Sequence, residues 1–231
     1  MSATARDAIL AEVRKSLAGR RRGGDPAGPP SSGDDPAARL RGHARNLIPD
    51  RTAGGRAANV ALFIKMIEGV SGTVARVASA GEVPRAVAGY LARHNLPPKL
   101  AMAPDSRLAA LPWAAQPLLE IREGAARESD QVAVTGTFAA IAETGTLMMA
   151  SFADRPNTLN FLPDNHVVVV SAKDVVGTYE DAWDRLRAAG GLPRTTTFIT
   201  GPSRTSDIEL VPTLGAHGPR RLHVVLVEDA G

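Results

Sequence analysis

The sequence predicts an α/β fold with an open, mostly parallel sheet that carries helices on both faces. Strand candidates alternate with helical patterns, beginning with a helix over residues 57–70 and a strand over residues 73–77. Farther along, the four valines at 167–170 form an unbroken apolar run. Such a run is typical of a central parallel strand that is buried on both faces.

The other elements follow from local signals. A helix over residues 82–94 has Pro84 in its first turn, and Gly190 and Gly191 end another helix over residues 179–189. The other strand candidates are short apolar segments at residues 99–103, 118–122, 131–134, 146–150, 198–200 and 222–227.

The N-terminal part has a different composition. Residues 1–18 predict a short amphipathic helix, which either docks on this chain or a partner or is a frayed terminus. Residues 19–36 are rich in Gly, Pro, Ser and Arg, the composition of a flexible linker. A single α/β domain is therefore expected over residues 40–231.

Composition excludes several classes of function. The sequence has no cysteine, which rules out disulfides, thiolate nucleophiles and iron–sulfur clusters ligated by this chain. Residues 57–231 hold 16 Lys and Arg against 18 Asp and Glu, so the globular part lacks the basic character of a nucleic-acid-binding surface. No apolar run approaches the length of a membrane span, and we expect a cytoplasmic protein.

The first candidate stretch contains two Thr-Gly-Thr sequences next to strand candidates. They consist of Thr135, Gly136 and Thr137, and of Thr144, Gly145 and Thr146. Glycine lets a backbone approach an anion closely and threonine adds a hydroxyl donor, so we expect both turns to bind substrate. Ordinary turns would have the same composition.

Charged and amide side chains accompany these turns. Glu143 is a candidate general base or nucleophile, although a carboxylate that only accepts backbone N–H groups would fit as well. Arg155 is a candidate clamp for a carboxylate or phosphate, or else a surface partner of Asp154 or Asp164. Asn157 is a candidate substrate-binding residue.

A second stretch begins at the tight loop that contains Gly201 and Ser203, both candidate substrate-binding residues. Asp207 and His217 are candidate catalytic residues, and Glu209 is a candidate ligand for substrate. The sequence from Ser206 to Glu209 also fits a capping box at the start of a helix, and a lone histidine is more often structural.

We expect the two stretches to form opposite walls of one site. Loops that follow parallel strands meet at the carboxyl edge of the sheet. Glu143, Arg155, Ser203, Asp207 and His217 are therefore predicted to converge in one pocket there. The histidines lack metal-ligand spacing, and no metal site is predicted.

Taken in order, the motifs resemble those of the lactate utilization protein C family. The resemblance covers most of the chain after about residue 57 and rests on the segments 142–146, 155–167, 201–209 and 215–219. One departure is Pro212, which would end early any helix that starts at Ser206.

The resemblance implies a fold similar to ribose-phosphate isomerases, glucosamine-phosphate deaminases and CoA transferases. It also implies a role with iron–sulfur partner proteins in oxidising L-lactate to pyruvate, with no cofactor bound by this chain. Related CoA transferases use a glutamate nucleophile, for which Glu143 is the candidate by context.

Three functions therefore stay open. The chain could be a subunit of an L-lactate-oxidising complex, a stand-alone isomerase or acyl/CoA transferase that uses Glu143, or a non-catalytic module that senses an anion or acts as a scaffold. In each case the expected ligand is small and anionic.

Overall fold

The computed structural model describes residues 5–20, 41–43, 45, 47–205 and 213–228. The chain divides into two compact units, Met1–Asn46 and Leu47–Gly231. In the first unit, helix α1 spans Ala5–Arg20, and its Ile9 and Val13 are exposed. The helix overlaps the first two residues of the predicted linker, and residues 21–36 lie outside the described residues.

The second unit contains four described α-helices and all of the described strands. The helices are α2 (Gly55–Gly69), α3 (Val83–Arg93), α4 (Ser106–Ala109) and α5 (Tyr179–Ala188). The strands are β1 (Thr73–Val77), β2 (Lys99–Met102), β3 (Glu120–Glu123), β4 (Val132–Gly136), β5 (Ala139–Ile141), β6 (Thr146–Ala150), β7 (Asn165–Ser171), β8 (Val175–Val176), β9 (Thr196–Ile199), β10 (Arg204–Thr205), β11 (Thr213–Leu214) and β12 (Arg221–Val227).

Six strands form the main sheet, in the order β1, β12, β7, β4, β2, β3, and every neighbouring pair is parallel. The strand predicted from the four valines, β7, lies near the centre of this sheet. Val167, Val168 and Val170 are fully buried, as a strand covered on both faces requires. The predicted fold class is confirmed.

Each face of the main sheet is covered by a different helix. On one face, Val167 and Val225 pack with Val87 and Leu91 of α3. The opposite face, which includes Val224, packs against α2 and the smaller sheet described next. Alternate residues of β7 and β12 thus enter two separate clusters, following the two-residue period of a strand.

A second sheet, which the sequence does not predict, has the strand order β8, β5, β6, β9. Strands β5 and β6 form an antiparallel hairpin, and β9 pairs antiparallel with β6. Residues 146–150 are thus a buried strand as predicted, but they belong to this smaller sheet. An apolar run indicates burial without indicating which sheet a strand joins.

Helix α5 covers the outer face of the second sheet through Ala182 and Leu186. Thr178 and Asp181 form a reciprocal capping box that fixes its first turn. Among the helices that are described, none is long and apolar enough to cross a bilayer.

Candidate functional site

The predicted site residues fall into two groups at opposite ends of β6. Glu143 lies in the turn that joins β5 to β6, whereas Arg155 follows the far end of β6. Five strand residues rise about 3.3 Å each, so the two side chains begin well over 10 Å apart. The prediction that Glu143 and Arg155 converge in one pocket is wrong, because Glu143 lies in the turn of the β5–β6 hairpin and the full length of β6 separates it from Arg155.

The group near Glu143 contains a cluster of hydroxyls. Thr146 Oγ1 lies 2.7 Å from Thr144 Oγ1, 2.9 Å from Tyr179 Oη and 2.6 Å from Thr200 Oγ1. Thr144 and Tyr179 also share a 2.9 Å hydrogen bond. The contact between Thr146 and Thr200 joins the two predicted stretches, so this part of the predicted wall-to-wall arrangement is present.

The glycines of this group have a packing role. A Cβ on Gly145 would lie 2.4 Å from the backbone N of Ile67, and one on Gly201 would lie 2.6 Å from the carbonyl oxygen of Val70. Both glycines also have positive φ values, 69° and 82°. The two turns therefore close around the C-terminal end of α2, which gives both glycines a structural explanation.

Glu143 lies beside the N-terminus of α5. Its Oε2 accepts a long, 3.4 Å hydrogen bond from the backbone N of Tyr179, and its carbonyl oxygen accepts one from Arg51 Nη2. A carboxylate there interacts favourably with the positive end of the helix dipole. The geometry thus favours the structural alternative for Glu143, although its catalytic role stays untested.

If Glu143 only supports α5, Glu143→Gln should reduce the free energy of unfolding by less than about 1 kcal/mol, the usual size of such a dipole interaction. Thermal unfolding should then shift by no more than about 4 °C. Glu180→Gln, in the first turn of the same helix, is the matched control. A much larger loss in Glu143→Gln alone would contradict this interpretation.

Ser203 and His217 line one groove together with Phe161, Thr200 and Pro219. The groove lies before the start of β12, because the backbone N of Ser203 bonds to the carbonyl oxygen of Pro219. His217 is exposed, and it lies away from Arg155, contrary to the predicted convergence. The predicted residues Asp207 and Glu209 lie outside the described residues.

The second group lies at the carboxyl edge of the main sheet. Thr135 and Gly136, predicted to form a turn, are instead the last residues of β4. Thr135 Oγ1 lies 2.8 Å from Nε2 of the fully buried His166, whose pKa is lowered by burial to about 3. Thr137 Oγ1 bonds to the carbonyl oxygens of Ala139 and Met148. These buried partners hold both threonines in place.

Asn157 belongs to the same region but has internal partners. Its Oδ1 accepts hydrogen bonds from Asn160 Nδ2 at 3.0 Å and from Thr197 Oγ1 at 3.4 Å. The amide therefore ties the segment after Arg155 to β9. Its role in substrate binding stays a prediction.

Arg155 is held by a buried carboxylate. Its Nε donates a 2.9 Å hydrogen bond to Asp105 Oδ2, and Asp105 is only 1% exposed. Asp154, one of the predicted surface partners, is 3.9 Å away. No described residue accepts a hydrogen bond from the Nη atoms of Arg155, whose side chain is 24% exposed. Those atoms are therefore available to a ligand.

Asp105 and Asp174 connect Arg155 to two further arginines. Arg107 donates to Asp105 Oδ2 through Nη2 at 3.4 Å and to Asp174 Oδ2 through Nη1 at 3.2 Å. Arg185 also bonds to Asp174. The three guanidinium groups and the two carboxylates form one network, and Asp154, paired with Arg155 at 3.9 Å, balances the third positive charge.

The pKa of Asp105 is lowered from its ordinary value. Burial by itself raises this pKa, but it is outweighed by the hydrogen bond from the backbone N of Arg107 and by the charges of Arg155 and Arg107. Asp105 is thus a stable anion at neutral pH, and it also caps the N-terminus of α4.

The network borders a crevice at the ends of the parallel strands. A cavity of about 130 Å³ is lined by Asp105, Arg107, Gly136, Ser171, Asp174 and Val227. A smaller depression beside it contains Thr135, Gly136 and Arg155. Ligands of open α/β sheets bind in such crevices. The arrangement can bind a small anion through guanidinium groups that are already oriented.

Sequence reasoning missed Asp105, Arg107, Asp174 and Arg185. A usable signal was present for the two acids, since Asp105 follows β2 and Asp174 follows β7 within a few residues. Acids that directly follow two parallel strands are expected at the same edge. Among the described residues, no group of three His, Asp or Glu side chains could hold a metal ion.

Comparison with known protein families identifies the family of this chain. Residues 60–227 match the LUD domain. The chain belongs to the LUD domain family. This confirms the resemblance found in the sequence motifs.

Two LUD relatives are named lactate utilization protein C. The one from Deinococcus radiodurans is 41% identical over 95 residues, which cover 41% of this chain and 45% of the relative. The one from Bacillus subtilis is 32% identical over 106 residues, which cover 44% of each protein. The chain thus matches less than half the length of these relatives.

A solved structure agrees with the fold. The crystal structure of a DUF162 family protein from Deinococcus radiodurans superposes with a TM-score of 0.56 at 24% sequence identity. The superposition covers 75% of this chain and 99% of that chain. At this level of identity the likeness concerns the fold alone.

Proposed function

We propose that this chain serves in lactate utilisation, as a component that acts with iron–sulfur partner proteins in oxidising L-lactate to pyruvate. We further propose that it binds a small carboxylate in the crevice at the carboxyl edge of the main sheet. Membership of the LUD family and the names of two relatives support the first part.

The observation that carries the second part is the position of Arg155. Its Nε is anchored on buried Asp105 at 2.9 Å, which orients the guanidinium, and Arg155 lines the depression beside the crevice. A carboxylate can accept two parallel hydrogen bonds from such a group.

The electron path belongs to other proteins in this proposal. The sequence contains no cysteine, so it cannot supply the thiolates that ordinarily ligate iron–sulfur clusters. The chain would bind and orient the carboxylate, and the partner proteins would carry the electrons.

The test is lactate-dependent reduction of an electron acceptor by the purified iron–sulfur partner proteins, measured with and without this chain. We expect a higher rate when the chain is present. Equal rates would remove the proposed role in lactate oxidation.

Arg155→Gln should weaken carboxylate binding by about 10- to 100-fold, the range for losing a charge-assisted hydrogen bond of about 1.5–3 kcal/mol. Calorimetry with L-lactate and pyruvate measures this loss. Arg187→Gln is the matched control, because Arg187 pairs with Asp184 on the surface of α5. Unchanged affinity in Arg155→Gln would contradict the assignment of the site.

The alternative of a stand-alone enzyme that uses Glu143 finds less support in the geometry. Glu143 lies at the other end of β6 from the crevice and accepts a hydrogen bond from α5. If Glu143 were the nucleophile for a CoA ester or the general base for a sugar phosphate, Glu143→Gln would abolish turnover of that compound. A thermal-shift panel of those compounds and lactate separates the functions, since a ligand of the native state raises the melting temperature.

A further inference from the structure

The edge strands of the two sheets differ in how well they are protected from pairing with other chains. Exposed strand edges can pair with other chains, and natural proteins usually block them with charges, proline or cover. The edge strand β3 carries Glu120, Arg122 and Glu123, and β1 carries Arg76 paired with Glu228. The edge strand β9, Thr-Thr-Phe-Ile over Thr196–Ile199, has neither charge nor proline. No described residue pairs with its outer side.

The backbone groups of β9 that no described residue pairs with can be identified from its register. The backbone N of Ser151 bonds to the carbonyl oxygen of Thr195, and Met149 lies opposite Thr197. Because antiparallel bonding alternates, Thr197 and Ile199 exchange hydrogen bonds with β6. The N–H and C=O groups of Thr196 and Phe198 therefore point outward, away from β6.

Apolar side chains surround this edge. Phe198 is 37% exposed, and the nearby segment that contains Phe161 and Leu162, 40% and 56% exposed, is tied to β9 by the bond between Asn157 and Thr197. A groove of about 260 Å³ runs beside β9, between Phe161, Ile199, Pro202 and Pro219. An extended segment placed there would gain both main-chain hydrogen bonds and apolar contacts.

The charges around the groove favour an acidic occupant. Arg204 lines it and bonds to the carbonyl oxygen of Val70 and to Ser71, and no described carboxylate pairs with its guanidinium. The nearby Asp164 is engaged by Arg220 at 3.4 Å. A second copy of this chain would place another Arg204 near the first, and repulsion between these like charges opposes pairing of two copies through β9.

We propose that the free edge of β9 is a docking site for an extended acidic segment of another protein, which adds to the second sheet as an antiparallel or parallel strand. The site does not depend on the function proposed for the carboxylate crevice, although Asn160 lines both this groove and the depression that contains Arg155. The outward N–H and C=O groups of Thr196 and Phe198 supply the pairing, and the groove holds alternate side chains.

The test uses two short fluorescent peptides, one alternating glutamate with valine and one alternating lysine with valine. Fluorescence anisotropy with the full chain should show binding of the glutamate peptide and at least tenfold weaker binding of the lysine peptide. Phe198→Lys should weaken the binding of the glutamate peptide by about tenfold or more. The substitution adds a blocking charge beside the outward backbone groups of β9 and removes an apolar contact.

Thr196→Pro provides a second variant that keeps the fold. Its N–H points outward at the first residue of an edge strand, a position that tolerates proline, so pairing with β6 is retained while docking loses a donor. Leu118→Lys is the control, since Leu118 is an 81% exposed apolar residue near β3. It should leave peptide binding unchanged.

Four results would overturn the proposal. The first is the absence of peptide binding, and the second is equal binding of both peptides. The third is equal binding of the glutamate peptide by Phe198→Lys and the unsubstituted chain. The fourth is a dimer in sedimentation velocity that Phe198→Lys dissociates, which would make a second copy the occupant.

Discussion

Gly145→Ala is expected to unfold the LUD domain or to leave it with a small fraction of its stability. The new Cβ would lie 2.4 Å from the N of Ile67 and 2.7 Å from the C of Met66, which are backbone atoms inside α2. Relief of this clash requires the β5–β6 turn to move away from α2. Overpacking costs about 1–3 kcal/mol, and a left-handed alanine adds about 1–2 kcal/mol. Urea denaturation followed by circular dichroism measures the loss.

Gly190→Ala separates the two contributions to that loss. Gly190 has a φ of 84°, but no atom lies within 4 Å of the position its Cβ would take. This variant should lose only the backbone contribution, about 1–2 kcal/mol. If both variants lost the same free energy, the close approach between Gly145 and α2 would not be a determinant of stability.

The main sheet could be predicted from sequence because its signals are local. Val167–Val170 is a continuous apolar run, and the helix that begins near Pro84 buries Val83, Val87 and Leu91 on one face. A parallel strand buried on both faces needs such a run whatever its neighbours are. The periodicity of a single segment therefore suffices to identify it.

The second sheet could not be predicted because two of its strands, β8 and β9, join the local β5–β6 hairpin from distant segments. Residues 146–150 read as a buried strand in either sheet, and only the pairing with Thr196–Ile199 decides between them. Thr135 and Gly136 resemble a turn in the sequence because the contact that places them in a strand is also distant. Thr135 shares a hydrogen bond with buried His166, which lies thirty-one residues away in β7.

The candidate site could be predicted only in part, because its residues are joined by contacts between distant parts of the chain. Arg155 was identified from its chemistry, but its partner Asp105 precedes it by fifty residues. Sequence spacing also could not show that β5 and β6 form a hairpin that carries Glu143 away from Arg155. The general rule for carboxyl edges was correct, and the acids after β2 and β7 satisfy it.

Asp105→Ala is expected to cost about 3 kcal/mol of stability and to weaken carboxylate binding. The substitution removes the cap of α4, usually worth about 1 kcal/mol, and leaves Arg155 and Arg107 without their buried partner. The loss stays below the full cost of a broken buried pair, because the Arg107 side chain is 48% exposed and can turn to water. Thermal unfolding and lactate calorimetry measure the two effects.

The pH dependence of Asp105→Asn distinguishes charge from shape. The lowered pKa of Asp105 means that its charge stabilises the fold fully above the unfolded value of about 3.9, and that this contribution is lost as pH falls through the lower folded pKa. The stability difference between the unsubstituted chain and Asp105→Asn should therefore be constant between about pH 5 and 8 and shrink below about pH 4.

Two buried histidines also respond to acid, and the comparison cancels them. Burial lowers the pKa of His166 to about 3 and that of His223 to about 4 from the ordinary 6.5. Both proteins should lose stability from these groups as pH falls below about 6.5, because the unfolded chain takes up the protons first. If the difference between the two proteins stays constant down to pH 3, the Asp105 charge contributes nothing to stability and Arg155 is held by shape alone.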